Sequence, residues 1–522
     1  VLAAVTNAPL RRMQMALQWS ESPQFRRVVM TDPEGRYEFA DLPAGKFSLT
    51  ASKPGYVALQ YGQRRPYESG TSIALREAET ISSIDFALPR GGVIAGRITD
   101  ELGEVMPQVQ VQAQRFTYGV DGQRRLSSAG SATTDDRGEF RIYGLMPGEY
   151  VVQGGFRNLN VVSIAGITNP ADPSEGYPPT FYPGTPNAAD AQPVSIGIGE
   201  EVNIQFGLIA GRLSRISGTV RDSEGRPGVA QVIALPQNGQ ISSSSISQTW
   251  GEPDGSFTLA SVPAGEYSLQ VVITSRGATA IAEAASIPIV VTGNDITGLR
   301  ITTSKGAVIS GRVIWEGTSP KTPQFPTNPL RVGVTVADPS GLSLGLGSDP
   351  NATGELDDSG RFRLGGVSGR VFLSGPNANG WTLKSVTVEG RDVTDAPLDP
   401  TGREAIDDVR ITMTDKLTNV SGHVTDDRGS PLMQYVVVVQ PADEVDPSIA
   451  TKYVRTSRPD TNGRFEFRAL RPGRYVATAI ESLEQGRQGS PDFRRQLRRG
   501  AREFTLREGE TLTLDLRLTP GL

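Results

Sequence analysis

No cysteine occurs anywhere in the 522 residues, so disulfides, thiolate catalysis and cysteine-ligated zinc are all excluded. Histidine occurs once, at His423. A zinc peptidase needs histidine and glutamate ligands around its metal, and a catalytic triad would have to use that same single residue. Both enzyme readings are set aside, and a lone strand histidine reads as structural or solvent-facing. No run approaches the ~20 apolar residues of a membrane-spanning helix. No secretory leader is recognisable, which reads as a mature or trimmed chain. The net charge of −5 is small for the length, so no global field draws the chain to nucleic acid.

Glycine (59 residues) and proline (37) are abundant, and short apolar-alternating segments lie between turn residues, which points to an all-β chain. One phrase recurs: TDPEGRYEFADLPAGKFSL at 31–49, then at 134–152, 251–269, 356–374 and 458–476. Aligned on Gly35, Gly138, Gly255, Gly360 and Gly463, each copy has an aromatic two residues on (Tyr37, Phe140, Phe257, Phe362, Phe465). An apolar residue follows two further on (Phe39, Ile142, Leu259, Leu364, Phe467). That spacing puts both side chains on one face of a strand. The Asp/Asn-rich pair before the glycine suits a tight hairpin, and its spacing lacks the alternating oxygen ligands of a calcium loop.

Seven residues past the glycine an aliphatic recurs (Leu42, Leu145, Val262, Val367, Leu470). A Pro/Gly turn comes next, and an aromatic then opens another strand (Phe47, Tyr150, Tyr267, Phe372, Tyr475). The fourth copy breaks that turn with Ser368-Gly369-Arg370. Each phrase therefore reads as strand, corner, strand, anchoring the core of a small sandwich.

Upstream of four copies stands Gly-any-Val/Ile, in VIAGRITD (93–100), RISGTVRD (215–222), VISGRVIW (308–315) and NVSGHVTD (419–426). Each unit closes on an alternating strand, and the next opens almost at once. The expected units are 1–90, 91–210, 211–304, 305–416 and 417–522. The Gly-any-Val opening, the TD-x-x-G-x-F-x-F hairpin and the L-x-P-G-x-Y corner resemble the carboxypeptidase regulatory-like domains. WTLKSVTVEGRDVTDAPLD (381–399) also resembles a stretch of long bacterial members of that group. The resemblance implies five tandem Greek-key β-sandwiches of transthyretin-like type, in a secreted or cell-surface bacterial protein, used as accessory, stalk or adhesive modules. It implies no peptidase and no cofactor. Some bacterial surface sandwiches lock themselves with a Lys–Asn isopeptide bond. Here no lysine lies between Lys53 and Lys305, so the second and third units have none to make one.

Several stretches are candidates for binding. The basic run RRQLRRGAR (494–502) suits a solvated helix or loop before the last strand, since no aromatic stacks among its arginines. SEGYPPTFYPGTPNAAD (174–190) offers Tyr177, Phe181 and Tyr182 as a platform for sugar rings, while its counterpart at 59–72 argues for an edge loop of the fold. The Pro-rich loop at 317–329 and the Ser-rich loop at 238–248 read as exposed.

Matching Pro9 to Pro107 puts the first unit's missing Gly-any-Val just before Val1, leaving VLAAV (Val1, Ala3, Val5) as the remnant of its first strand. An open edge there could be filled by strand addition. Leu512, Leu514, Leu516 and Leu518 in TLTLDLRLT (511–519) are the candidate donor.

The leading expectation is a non-enzymatic structural protein, a stalk, surface-layer or filament subunit that associates with itself, with head-to-tail contact as one arrangement. The alternative is a module binding carbohydrate or envelope polymer for a secreted hydrolase or uptake system. An accessory of an outer-membrane receptor ranks last, for want of barrel sequence.

Overall fold

The computed structural model describes residues 1–19, 22–63, 70–118, 122, 124–156, 175–237, 246–273, 283–321, 329–337, 354–443, 453–460, 462–484 and 486–520. Nearly all of its regular structure is β-strand. One plan recurs around the phrases, called here the first to fifth units in chain order. In the second unit, the opening strand Gly92–Thr99 lies between the antiparallel hairpin strand Glu139–Leu145 and the parallel closing strand Glu201–Gly207. A second sheet, built on Gln110–Tyr118 and the corner strand Gly148–Gly155, packs across it. The third, fourth and fifth units repeat this with opening strands Gly211–Arg221, Ala307–Glu316 and Asn419–Thr425. Five of the buried apolar clusters each draw on one such stretch.

The phrase supplies what each core needs. Its turn closes with the glycine N–H donating to the carbonyl three residues earlier, as from Gly138 to Asp135 at 3.1 Å and from Gly463 to Asp460 at 3.0 Å. All five glycines take positive φ, between +69° and +82°, which a side chain would resist. The aspartate ahead of the turn caps it. Asp135 Oδ1 accepts from Arg137 N and Glu139 N at 2.9 and 2.8 Å, and Asp357 does the same for Ser359 and Arg361. Phe140, Phe257, Phe362 and Phe465 are buried, as are Ile142, Leu259, Leu364 and Phe467. At the corner the Tyr150, Tyr267 and Tyr475 hydroxyls each donate to the carbonyl four residues earlier, fixing the bend.

The glycine of Gly-any-Val has a different cause. A Cβ at Gly96, Gly218, Gly311 or Gly422 would run into the carbonyl of Ile204, Leu299, Val409 or Leu514 on the closing strand. The glycine lets opening and closing strands approach.

Two copies depart from the expected pattern. In the fourth, the broken corner shifts the strand by one residue: Val371 and Leu373 enter the core and Phe372 is only half-buried. In the first, Val1 takes the last place of the Gly-any-Val motif instead of following it. Its amine donates to Gly35 O at 2.7 Å, as Ile98 N does to Gly138 O at 2.9 Å. Leu2–Ala3 then pairs with Ala87–Leu88, parallel, as an opening and a closing strand do elsewhere. Residues 36–42 form no strand there. Residues 80–86 form none either.

Candidate functional surfaces

His423 sits on the outer face of the fifth opening strand, half exposed, with Nδ1 3.9 Å from Asp515 Oδ1. Among the described residues no group of three or more His, Asp or Glu side chains could hold a metal ion. Open polar grooves run over the glycines of the opening strands. One is lined by Arg97, Glu139, Arg141 and Gln205, another by Arg312, Arg361, Asp408 and Arg410. Their charges are paired at the surface: Arg141 with Glu201 at 2.9 Å, Arg410 with Asp408 at 3.2 Å.

The aromatic stretch of the second unit lies against the fold. Thr180–Phe181 adds an edge strand to Gln153–Gly154, and Leu59–Gln60 adds one at the corresponding place of the first unit. Phe181 is 1% exposed, inside a cluster with Leu126, Val151 and Ala188. Tyr182 meets Phe206 edge-on at 6.0 Å, and Tyr177 lies 6.3 Å from Phe156. Partial burial and a hydrogen bond to Glu101 push the Tyr177 hydroxyl above its ordinary pKa. The three rings do not form one exposed stack.

Of the residues named for the assembly edge, Val1 and Ala3 engage their own unit, while Val5 lies in an exposed turn. Thr511–Thr513 and Leu516–Arg517 pair with the fifth unit's own opening strand. Leu514 and Leu516 are buried in its core, with Leu512 and Leu518 packed against it. The exposed loops expected at 317–329 and 238–248 fall for the most part outside the described residues.

The basic run is not a fully solvated face. Pro491–Arg498 is a helix capped by Ser490, whose hydroxyl accepts from Phe493 N. Phe493 and Leu497 are buried with Val436, Val438, Ile480 and Leu483, covering the back of the fifth unit's second sheet. Arg494 is 8% exposed, and Arg498 donates to the carbonyls of Pro441 and Ala442. The signal for it was present in Ser490-Pro491 and in the Phe493/Leu497 spacing of four.

Surfaces between units carry the remaining chemistry. Gly91 N donates to Gly55 O at 3.0 Å, and Glu175–Gly176 pairs with Gly211–Arg212. Lys305 bonds Glu224 at 2.9 Å, close to where the third unit gives way to the fourth. The 381–399 stretch adds the strand Thr382–Val388 to the fourth unit and bonds the fifth: Lys384 bridges Glu316 and Glu508, and Asp395 holds Arg471 at 2.7 Å. The fifth unit also reaches the second, through Arg115–Glu484 and a groove lined by Phe116, Tyr118, Asp492 and Phe493. A cleft lined by Lys46, Thr71, Arg458 and Glu466 lies between the fifth and the first.

Comparison with curated proteins found no match. Among solved structures the chain is similar to the Bacillus anthracis TIE protein, at 11% identity over 85% of this chain and 79% of that one, with a TM-score of 0.15. It is similar to GBS52, the minor pilin of Streptococcus agalactiae, at 15% identity over 39% and 84%, with a TM-score of 0.20. The shaft pilin SpaA of Lactobacillus rhamnosus GG matches at 11% identity over 41% and 98%, with a TM-score of 0.16. At such scores the likeness says nothing of activity. Residues 419–519, which span the fifth phrase and its opening and closing strands, match the family model of the carboxypeptidase regulatory-like domain.

Proposed function

We propose that the chain is a non-enzymatic structural protein of the cell surface or extracellular space, a stalk or filament subunit built of five sandwiches with boundaries near 90, 210, 304 and 416. One observation carries the reading: each unit seals itself by pairing its opening with its closing strand, and the next opens after only residues 89–91, 208–210, 303–306 or 415–418. Short joins bridged by hydrogen bonds and ion pairs hold neighbours in place, as a scaffold requires. The repeated side chains build turns and cores.

Self-association belongs to the same reading. Electron microscopy across a concentration series, with the N-terminus defined by mass spectrometry, tests this. Ordered fibres or sheets are expected. Separate particles at every concentration would overturn the self-association.

A further inference from the structure

The registers of the terminal strands assign a direction to the load each unit can carry. In every unit the opening and closing strands are parallel neighbours. The chain enters at the N-terminal end of one strand and leaves at the C-terminal end of the other. For parallel strands these two points lie at opposite ends of the pair. Tension along the chain therefore acts parallel to the strands and across their hydrogen bonds. The whole ladder is loaded at once, in shear, and cannot be opened one bond at a time from an end.

We infer that these ladders are shear clamps and that the array is built to bear tension along its length. This stands on the strand registers alone and does not depend on self-association. Two further observations fit it. In the second to fifth units the opening strand is not at a sheet edge, so drawing it out must also shear it from the antiparallel hairpin strand. The glycine of each Gly-any-Val motif sits within the clamp, where it allows close approach to the closing strand. With no cysteine in the chain, no disulfide could carry the load in place of the ladder.

Clamp length also differs between units. The fourth ladder joins eight residue pairs, Val308↔Ala405 to Glu316↔Thr414, and the second joins seven, Val93↔Glu201 to Thr99↔Gly207. The third joins five. The fifth has three pairs and then two, in separate pieces. More bonds broken together mean a higher unfolding barrier, which governs forced unfolding. The order of yielding under end-to-end tension is then the fifth and third units, and last the second and fourth.

The lack of native cysteine makes the test direct, because introduced cysteines become the only attachment points. Pulling the full chain between Arg90→Cys and Ile209→Cys loads the second unit's clamp in shear. Pulling between Leu102→Cys and Ile209→Cys applies force at the same end of both strands and peels them apart. Single-molecule force spectroscopy at one pulling speed should give an unfolding force several-fold higher for the first pair than for the second. Equal forces would overturn the clamp. Each handle pair is matched by a thermal melt, and Glu101→Cys replaces Leu102→Cys if that variant melts early. Pulling the parent chain by its termini tests the ranking, each event being assigned to its unit by a length gain of roughly 3.3–3.6 Å per residue released. If the second and fourth units yield first, the ladder-length account fails.

Discussion

Asp135 and Asp357 hold their turns by accepting backbone N–H bonds, which they do best when ionised. The bond from Glu139 N, then that from Arg137 N, draws the Asp135 carboxyl below its ordinary pKa. At Asp357 the Ser359 hydroxyl leads, with the Arg361 N–H next. Asp254 is lowered in the same way by Ser256. A depressed carboxylate stabilises fully above its unfolded pKa, about 3.9, and the contribution is lost as pH falls through the native value. The melting temperature should therefore stay level from neutral pH down to about 4 as far as these turns decide it, then drop. Asp135→Ala with Asp357→Ala should lower the plateau and shrink the drop, measured by melts from pH 7 to pH 2. A decline already complete at pH 5 would assign the acid sensitivity to other groups. These residues were legible in the sequence because turn chemistry is local: Asp, two residues, a glycine and the residue after it contain the bonds that matter. The glycine of Gly-any-Val was visible as a signal but not as a cause, since the carbonyl it admits lies on a strand some 80–110 residues later in the chain.

At the scale of single elements, the helix Pro491–Arg498 shows how a charged run can hide an apolar seam. Leu497 is fully buried while Arg495 lies at the surface, ion-paired to Asp492. Leu497→Ala should cost about 2–5 kcal/mol, and Arg495→Ala should stay within about 0.5 kcal/mol. Calorimetry of the full chain, following the transition that contains the fifth unit, separates the two. Equal effects would mean the helix does not cover the sheet through Leu497. Strand, corner and hairpin were readable from alternation and turn residues. The half-buried Phe372 was not, because a one-residue shift after a broken turn exchanges the faces of the whole strand. No strand forms at 36–42 either, although Tyr37 and Phe39 stand in the pattern of the other copies.

Across the whole molecule, the fifth unit touches the first, the second and the fourth, so the array is not a simple line of contacts between sequence neighbours. Composition and spacing gave no hint of this. The long-range contact with the second unit centres on Arg115–Glu484, a partly exposed pair of the kind worth about 0–1 kcal/mol. The Debye length falls from about 10 Å at 0.1 M salt to about 3 Å at 1 M. Small-angle scattering should show the radius of gyration rising with salt, and rising at low salt in Glu484→Lys. No change in either would mean that packing around Phe116 and Phe493, rather than charge, holds the units together.

The pairing of first strand with last also sets the order in which the molecule can be made. Val93 finds its partner only when Glu201 has emerged, and Val308 only when Ala405 has. A chain leaving a ribosome or a translocation pore N-terminus first therefore carries each unit with its opening strand unsealed until its last strand is out. Such non-local pairing is slow to form and leaves apolar edges exposed meanwhile. Five consecutive waits of this kind put the hazard of mispairing in biogenesis, between one unit's opening strand and a neighbour's closing strand.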